Sequence, residues 1–241
     1  MTHRALELVE ELLRSPDELL ARCRSGRDEQ ALFLCSLASI VLGSGAFGAV
    51  LATSRGGLQL LYSGAKLPLV LLATLALVAP ALHALTRSFG GALPFRDGIA
   101  LLMAAAARAS LVLLALSPAV WLCFDRGLDY HDGVVLAAAC YGFAGLFALS
   151  LVRRALGRGL RGALLVGSFG LVLLPTAAQT AWMCRPFLGR PAQTHLPFLR
   201  ARESSFADAV FRSLHSSFGD YDYDHRGPEG DGPRREAGAC E

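Results

Sequence analysis

The amino-acid sequence predicts an all-α membrane protein, a bundle of five transmembrane helices with amphipathic flanking helices. Hydrophobic residues make up 53% of its 241 residues and charged residues only 18%. The mean hydropathy is +0.43, whereas about a quarter of the residues in an average soluble domain are charged. Apolar runs of about 20 residues recur along the chain, and each is long enough to cross about 30 Å of hydrocarbon. The small net charge of +3 gives no reason to expect a nucleic acid as a partner.

The first thirty residues are predicted to form a cytoplasmic amphipathic segment, because Leu6, Val9 and Leu13 fall on one helical face. The sequence Ser15–Glu18 then has the form of a capping box, which predicts a second short helix carrying Leu19, Leu20 and Cys23. We expect both helices to lie along the membrane surface. A solvated leader that packs on nothing is the alternative.

A transmembrane domain is expected over residues 31–184. The predicted spans are 31–52, 67–86, 105–124, 133–152 and 162–183. The third span contains Arg108, which we place near its cytoplasmic end, with the side chain reaching towards the headgroups. A functional charge at mid-membrane is the alternative, although no span carries an Asp or Glu that could pair with it.

Arginines predict the orientation, since cytoplasmic loops are rich in positive charge. They are frequent before the first span and in the second and fourth loops, as with Arg87, Arg154 and Arg158. The first loop offers only Arg55 and Lys66. We therefore expect a multi-pass protein of the cell inner membrane with its N-terminus in the cytoplasm and its C-terminus outside. Four arginines soon after the last span leave a cytoplasmic tail as the alternative.

Beyond the last span, residues 185–218 are predicted to be a juxtamembrane segment with a short amphipathic helix. Its apolar face would hold Phe206, Val210, Leu214 and Phe218. Residues 219–241 are rich in Gly, Pro, Asp and Arg and are predicted to be disordered.

Small residues recur at helical spacing, which allows helices to approach closely in lipid. The candidate packing or partner contacts are Gly43, Ser44, Gly48, Gly159, Ala163 and Gly167. We expect them to pack helices within one bundle, and a dedicated oligomer interface is the alternative.

Polar and aromatic residues near span ends are candidate interface anchors, namely Arg108, Trp121, Trp182 and Arg185. Gln179 lies one turn after Pro175 and is expected to hydrogen-bond a neighbouring helix, with a substrate contact as the alternative.

No constellation of catalytic residues is present, so an enzyme is not expected. The only histidine in a span is His83, and the six cysteines form no CxxC pair or Cys/His cluster. We therefore expect no cofactor and no metal site, and we interpret the cysteines as packing residues.

The segments "AKLPLVLLATLALVAPALHALTRSFGG" and "FRDGIALLMAAAARASLVLLALSPAVW" resemble bacterial Yip1-like membrane proteins. The resemblance covers Ala31–Met183 and lacks the DLYGP-type signature. It implies a five-helix domain that organises or recruits membrane partners, either other proteins or further copies of the chain in the lipid bilayer. Actin binding is not supported, because no WH2-like helix with an LKKT-type motif follows. The alternative function is a small transporter or channel subunit that uses Arg108, Gln179 and proline-broken helices.

Overall fold

The computed structural model describes residues 2–14, 19, 21–22, 29–53, 56–91, 93–128, 130–157 and 159–184. Within these residues the fold is all-helical. The helices are α1 (Thr2–Arg14), α2 (Glu29–Leu51), α3 (Leu58–Ser88), α4 (Phe95–Asp125), α5 (Tyr130–Leu156) and α6 (Leu160–Cys184). The five helices from α2 to α6 are long and apolar enough to cross a membrane. The predicted fold class is therefore confirmed.

The membrane helices are longer than the predicted spans. Helices α3 and α4 each have 31 residues, which corresponds to about 46 Å at 1.5 Å per residue. Helix α3 begins at Leu58, so Lys66 belongs to the helix and not to the first loop. Helix α4 begins at Phe95, which places Arg108 near its middle. The predicted second span begins just after Lys66, whereas helix α3 extends through this residue.

Prolines do not break these helices, so the expectation of proline-broken helices is wrong. Pro68 and Pro80 lie inside α3, Pro118 inside α4 and Pro175 inside α6. A transmembrane helix tolerates proline when hydroxyl groups and neighbouring helices satisfy the surrounding backbone. Beside two of these prolines, Ser117 and Thr176 donate hydrogen bonds to carbonyl oxygens one turn earlier, at 2.9 and 2.7 Å.

Helix α4 lies at the centre of the bundle. It contacts α1, α2, α3 and α5, while α6 packs mainly against α3. Every residue from Leu101 to Arg108 is buried, so this part of α4 is enclosed on all sides. A helix that is apolar all round is expected to be buried all round, and the alanine-rich sequence of α4 lets its neighbours come close.

Two apolar clusters fill the interior. One lies towards the starts of α2 and α4 and includes Ile40, Val78, Leu102 and Phe169. The other lies towards the ends of α2 and α4 and includes Phe47, Leu113, Val120 and Phe124. Buried polar side chains lie between them near the middle of the helices, namely Ser39, Ser44, Thr74, Arg108 and Ser110.

Helix α1 packs against α2 and α4 and contributes to the first cluster. Leu8 and Leu12 are buried, whereas Leu13 is 41% exposed. The buried face therefore differs from the predicted one at Val9 and Leu13, while the side chain of Leu6 lies outside the described part of the structure. Leu19 is also buried, and the capping box, Leu20, Cys23 and all of residues 185–241 lie outside the described residues.

Two glycines in left-handed conformations shape the turns at one end of the bundle. Gly90 follows α3 with φ 66°, and Gly157 separates α5 from α6 with φ 107°. Side chains other than glycine rarely adopt such values. These turns allow α3 to lead into α4, and α5 into α6, within a few residues.

Candidate functional site

Arg108 is the most unusual side chain of the membrane helices. It is only 9% exposed, and its Nη2 donates a hydrogen bond of 3.3 Å to the carbonyl oxygen of Leu13 in α1. Its guanidinium carbon lies 5.8 Å from the centre of the Phe147 ring in α5, within the range of a cation–π contact. The charge is therefore enclosed by three helices, which differs from the expectation that it reaches the headgroups.

The carbonyl of Leu13 is a suitable partner for this positive charge. Helix α1 ends at Arg14, so this carbonyl is one of the last four of the helix and has no intrahelical partner. The end of a helix also carries a partial negative charge. The C-terminal end of α1 thus supplies the negative partial charge that an acidic side chain beside Arg108 would otherwise supply.

The hydrogen-bonding capacity of Arg108 is not exhausted by this contact. Its Nε and Nη1 are buried without a hydrogen-bond partner among the described residues. A charged arginine at the centre of a membrane helix costs about 2.5–3.5 kcal/mol on insertion scales. Unused donors in such a place are able to attract an anion.

Lys66 is a second buried cation, and the sequence analysis does not include it among the candidate site residues. Lys66 of α3 is 2% exposed and shares one side of the helix with Gln59 and Ser63. The Nε2 of Gln59 donates a hydrogen bond of 3.2 Å to the Oγ of Ser63. The spacing i, i+4, i+7 of these three polar residues could have revealed a buried polar stripe, since it continues the inward face of an apolar helix.

The small residues of α2 lie at close helix contacts. A Cβ at Gly43 would lie 2.5 Å from the carbonyl oxygen of Ser110 in α4. A Cβ at Gly48 would lie equally close, 2.5 Å, to the carbonyl oxygen of Ser63 in α3. Ser44 is fully buried between them and donates to the carbonyl of Ile40. These positions fit the first interpretation, close packing within one bundle.

The small residues in and just before α6 do not lie at close contacts between helices. A Cβ at Gly159 or Gly167 would meet no atom within 4 Å, and Ala163 is exposed. We call Ala163 and Gly167 of α6, together with Gly159 in the turn just before this helix, the α6 stripe. Within the described residues the α6 stripe packs against no other helix, so it does not serve the interior of the bundle.

The remaining candidates are not brought together into one site. Trp121 is 46% exposed near the end of α4, while Gln179 and Trp182 are half-buried near the end of α6. Trp121 and Trp182 therefore lie near helix ends, where interface anchors belong. Arg185 lies outside the described residues.

The part of the chain that the structure describes offers no group of side chains suited to binding a metal ion. No three His, Cys, Asp or Glu side chains are grouped there so that they could hold a metal ion. Cys35, Cys123, Cys140 and Cys184 are free thiols. The ring of His83 makes an edge-on contact with the ring of Phe95, with 5.5 Å between their centroids, and its Nδ1 is buried without a hydrogen-bond partner among the described residues.

Comparison with known proteins adds no family assignment. No protein-family model, curated protein or solved structure matches the chain.

Proposed function

We propose that the chain is a membrane scaffold or accessory protein of a bacterial inner membrane that binds a partner helix through α6, in the manner of Yip1-like proteins. The observation that carries this proposal is the outward position of the α6 stripe. The proposal includes no catalytic step.

The energetics of glycine support a partner on this face. Glycine in a helix interior is about 1 kcal/mol less favourable than alanine. At Gly43 and Gly48 the close approach of a neighbouring helix compensates for that cost. At Gly167 no neighbour from the described chain is present. A partner helix that packs closely against the α6 stripe would supply the missing compensation, because backbone approach and van der Waals packing drive association in lipid.

The surroundings of the α6 stripe are also open. In α5 and α6, 22% of the apolar window is buried inside the bundle, compared with 56% in α4. The stripe is flanked by Leu160, Leu164 and Leu171, which are 79%, 54% and 77% exposed. Leucines beside a glycine seam provide the side-chain contacts that surround a close backbone crossing.

The proposed orientation has the N-terminus in the cytoplasm and, with five spans, the C-terminus outside. The inclusion of Lys66 in α3 supports it, because the first loop then retains Arg55 as its only positive residue. The turn between α5 and α6 lies near Arg153, Arg154, Arg158 and Arg161. The resulting asymmetry of loop charge favours this orientation.

Photo-crosslinking in native membranes tests the partner proposal. A photoreactive amino acid at position 163 of α6 should crosslink to protein, whereas one at position 142 of α5 should not. Both positions are exposed, so the two variants sample equally open faces. The double substitution Ala163→Leu, Gly167→Leu should abolish a protein crosslink that is made from position 164.

The control for that loss is Gly142→Leu, which adds the same bulk to an open face of α5. It should keep the crosslink, and all variants should keep the thermal stability of the isolated protein. Crosslinks to lipid alone from position 163 would contradict the proposal. A crosslink to a second copy of the chain would identify the partner as self-association, and a crosslink to another protein would identify a recruited subunit.

A transporter or channel subunit is the second candidate, and the buried charges of Arg108 and Lys66 favour it. Anion and solute flux into liposomes that contain the purified protein distinguishes the two functions. The scaffold proposal predicts no flux above that of empty liposomes. Flux that is lost in Arg108→Gln and kept in Arg153→Gln, an exposed arginine of α5, would establish the transporter instead.

A further inference from the structure

A cavity of about 320 Å³ lies between the first turns of α2 and α4, away from Arg108 and from the α6 stripe. Its walls are mostly apolar and include Leu32, Ile99 and Met103. An ion pair between Glu29 and Arg96 lies at its mouth. An apolar cavity of this size with a few polar groups has the character of a site for a small amphiphile.

Ser36 provides the polar group inside the cavity. It lines the cavity, it is 0% exposed, and its Oγ is buried without a hydrogen-bond partner among the described residues. By contrast, Ser44 of α2 and Ser117 of α4 donate to a carbonyl one turn earlier, whereas Ser110 of α4, which does not line the cavity, resembles Ser36 in this respect. The hydroxyl of Ser36 therefore remains able to donate to a ligand, and a buried unused hydroxyl is unfavourable without one.

The depth of these groups matches the depth profile of a phospholipid. Ser36 lies two helical turns, about 10 Å, beyond Glu29 along α2. The headgroup region on each side of a bilayer is about 5–8 Å thick. A lipid with its headgroup at Glu29 and Arg96 would therefore pass its glycerol backbone along Leu32 and Ile99 and place its ester groups near Ser36 and Met103.

The two charges at the mouth select the headgroup. A guanidinium binds phosphate through two parallel hydrogen bonds, and a carboxylate accepts hydrogen bonds from an ammonium group. The side chain of Arg96 is 70% exposed and that of Glu29 is 32% exposed, so both are accessible to a headgroup. A ligand that carries both charges could replace the ion pair without leaving either residue unpaired.

We propose that this cavity binds one phospholipid of the adjoining leaflet whose headgroup contains a phosphate and a primary ammonium group. The phosphate contacts Arg96, the ammonium contacts Glu29, and an ester carbonyl accepts a hydrogen bond from Ser36. This site is independent of the proposed partner surface on α6.

Native mass spectrometry of the delipidated full chain tests the proposal. The probes are phosphatidylethanolamine, phosphatidylcholine and phosphatidylglycerol with identical acyl chains. We expect phosphatidylethanolamine to bind about tenfold more tightly than the other two, because only its headgroup donates ammonium hydrogen bonds to Glu29. Glu29→Gln should reduce its affinity to that of phosphatidylglycerol, and Arg96→Gln should weaken all three lipids.

Further variants separate the contacts inside the cavity from those at its mouth. Ser36→Ala and Met103→Trp should weaken all three lipids without changing their order. Arg153→Gln, which removes an exposed arginine from α5, should change nothing. The ion pair at the mouth is partly exposed and contributes little to folding, so Glu29→Gln and Arg96→Gln are expected to keep the thermal stability of the wild type.

Equal affinity for the three lipids would overturn the proposal, as would unchanged binding in Arg96→Gln or in Met103→Trp. Glycerophosphoethanolamine at millimolar concentration serves as a headgroup without chains. It should not compete with the lipid, and full competition would overturn the assignment of a lipid in favour of a soluble phosphate ester.

Discussion

At the scale of single residues, burial separates glycines that pack the bundle from glycines that do not. Gly43 lies against the backbone of α4, and Gly142 lies in open space on α5. Both lie inside apolar helices, and both have a small residue four positions away. Only the contact with Ser110 distinguishes the first from the second, so the same substitution should have opposite effects at the two positions.

We expect Gly43→Ala to lower the free energy of unfolding by about 1–3 kcal/mol, because the new methyl group forces α2 and α4 apart. Gly142→Ala should be neutral or stabilising by up to about 1 kcal/mol, since alanine is the better helix former. Unfolding of both variants in mixed detergent micelles measures the difference. Equal effects of the two substitutions would contradict the close contact.

The sequence shows which residues are small, but it does not predict which helix each of them contacts. The small-residue pattern includes Gly43 and Gly48, where backbones approach, and also Gly167, where none does, because spacing alone does not say which helix, if any, lies opposite. Lys66 shows a related limit. A hydropathy window ends a span at a charged residue. Helix α3 nevertheless continues through Lys66, whose side chain is buried inside the bundle.

At the scale of helices, α1 belongs to the bundle although it does not cross the membrane. Leu8 and Leu12 extend the apolar cluster around α4, and the carbonyl of Leu13 receives a hydrogen bond from Arg108. These contacts explain how a positive charge is accommodated near the middle of α4, because the C-terminal end of α1 supplies the partial negative charge.

Two neighbouring leucines of α1 test this packing. Leu12→Ala should destabilise the docking of α1 by about 2–5 kcal/mol, because it leaves a cavity at a fully buried position. Leu13→Ala changes a side chain that is 41% exposed and should have little effect. Hydrogen exchange of the α1 amides reports the docking. Faster exchange in Leu13→Ala than in Leu12→Ala would support the face predicted from sequence instead.

The number and type of the membrane helices could be predicted, whereas the docking of α1 could not. Long apolar runs form helices because a bilayer tolerates only helices and closed barrels, in which every backbone polar group is hydrogen-bonded. The position of α1 depends on a tertiary contact with Arg108 and on which of several adjacent leucines turns inward. Helical spacing of Leu6, Val9 and Leu13 gave a plausible face, but Leu8 and Leu12 define the buried one.

At the scale of the whole molecule, the bundle has an enclosed α4, a cavity at one end that we propose as a lipid site, and an open face on α6. The proposed orientation of the five spans determines on which side of the membrane each of these parts lies. The proposed orientation, with the N-terminus in the cytoplasm, puts the starts of α2 and α4 in the cytoplasmic leaflet and the turn between α4 and α5 outside. Reversal of the orientation would move the proposed lipid site to the other leaflet.

Labelling of single cysteines in intact cells tests the five-span orientation most directly. In a background without the six native cysteines, Asp132→Cys and Leu160→Cys place a thiol at the start of α5 and of α6. Both substitutions leave every arginine in place, so the loop charges that favour the orientation are unchanged. A membrane-impermeant maleimide should modify position 132 in intact cells and position 160 only after the membrane is opened. Modification of position 160 but not of position 132 in intact cells would contradict the orientation, and modification of both would contradict a span between them.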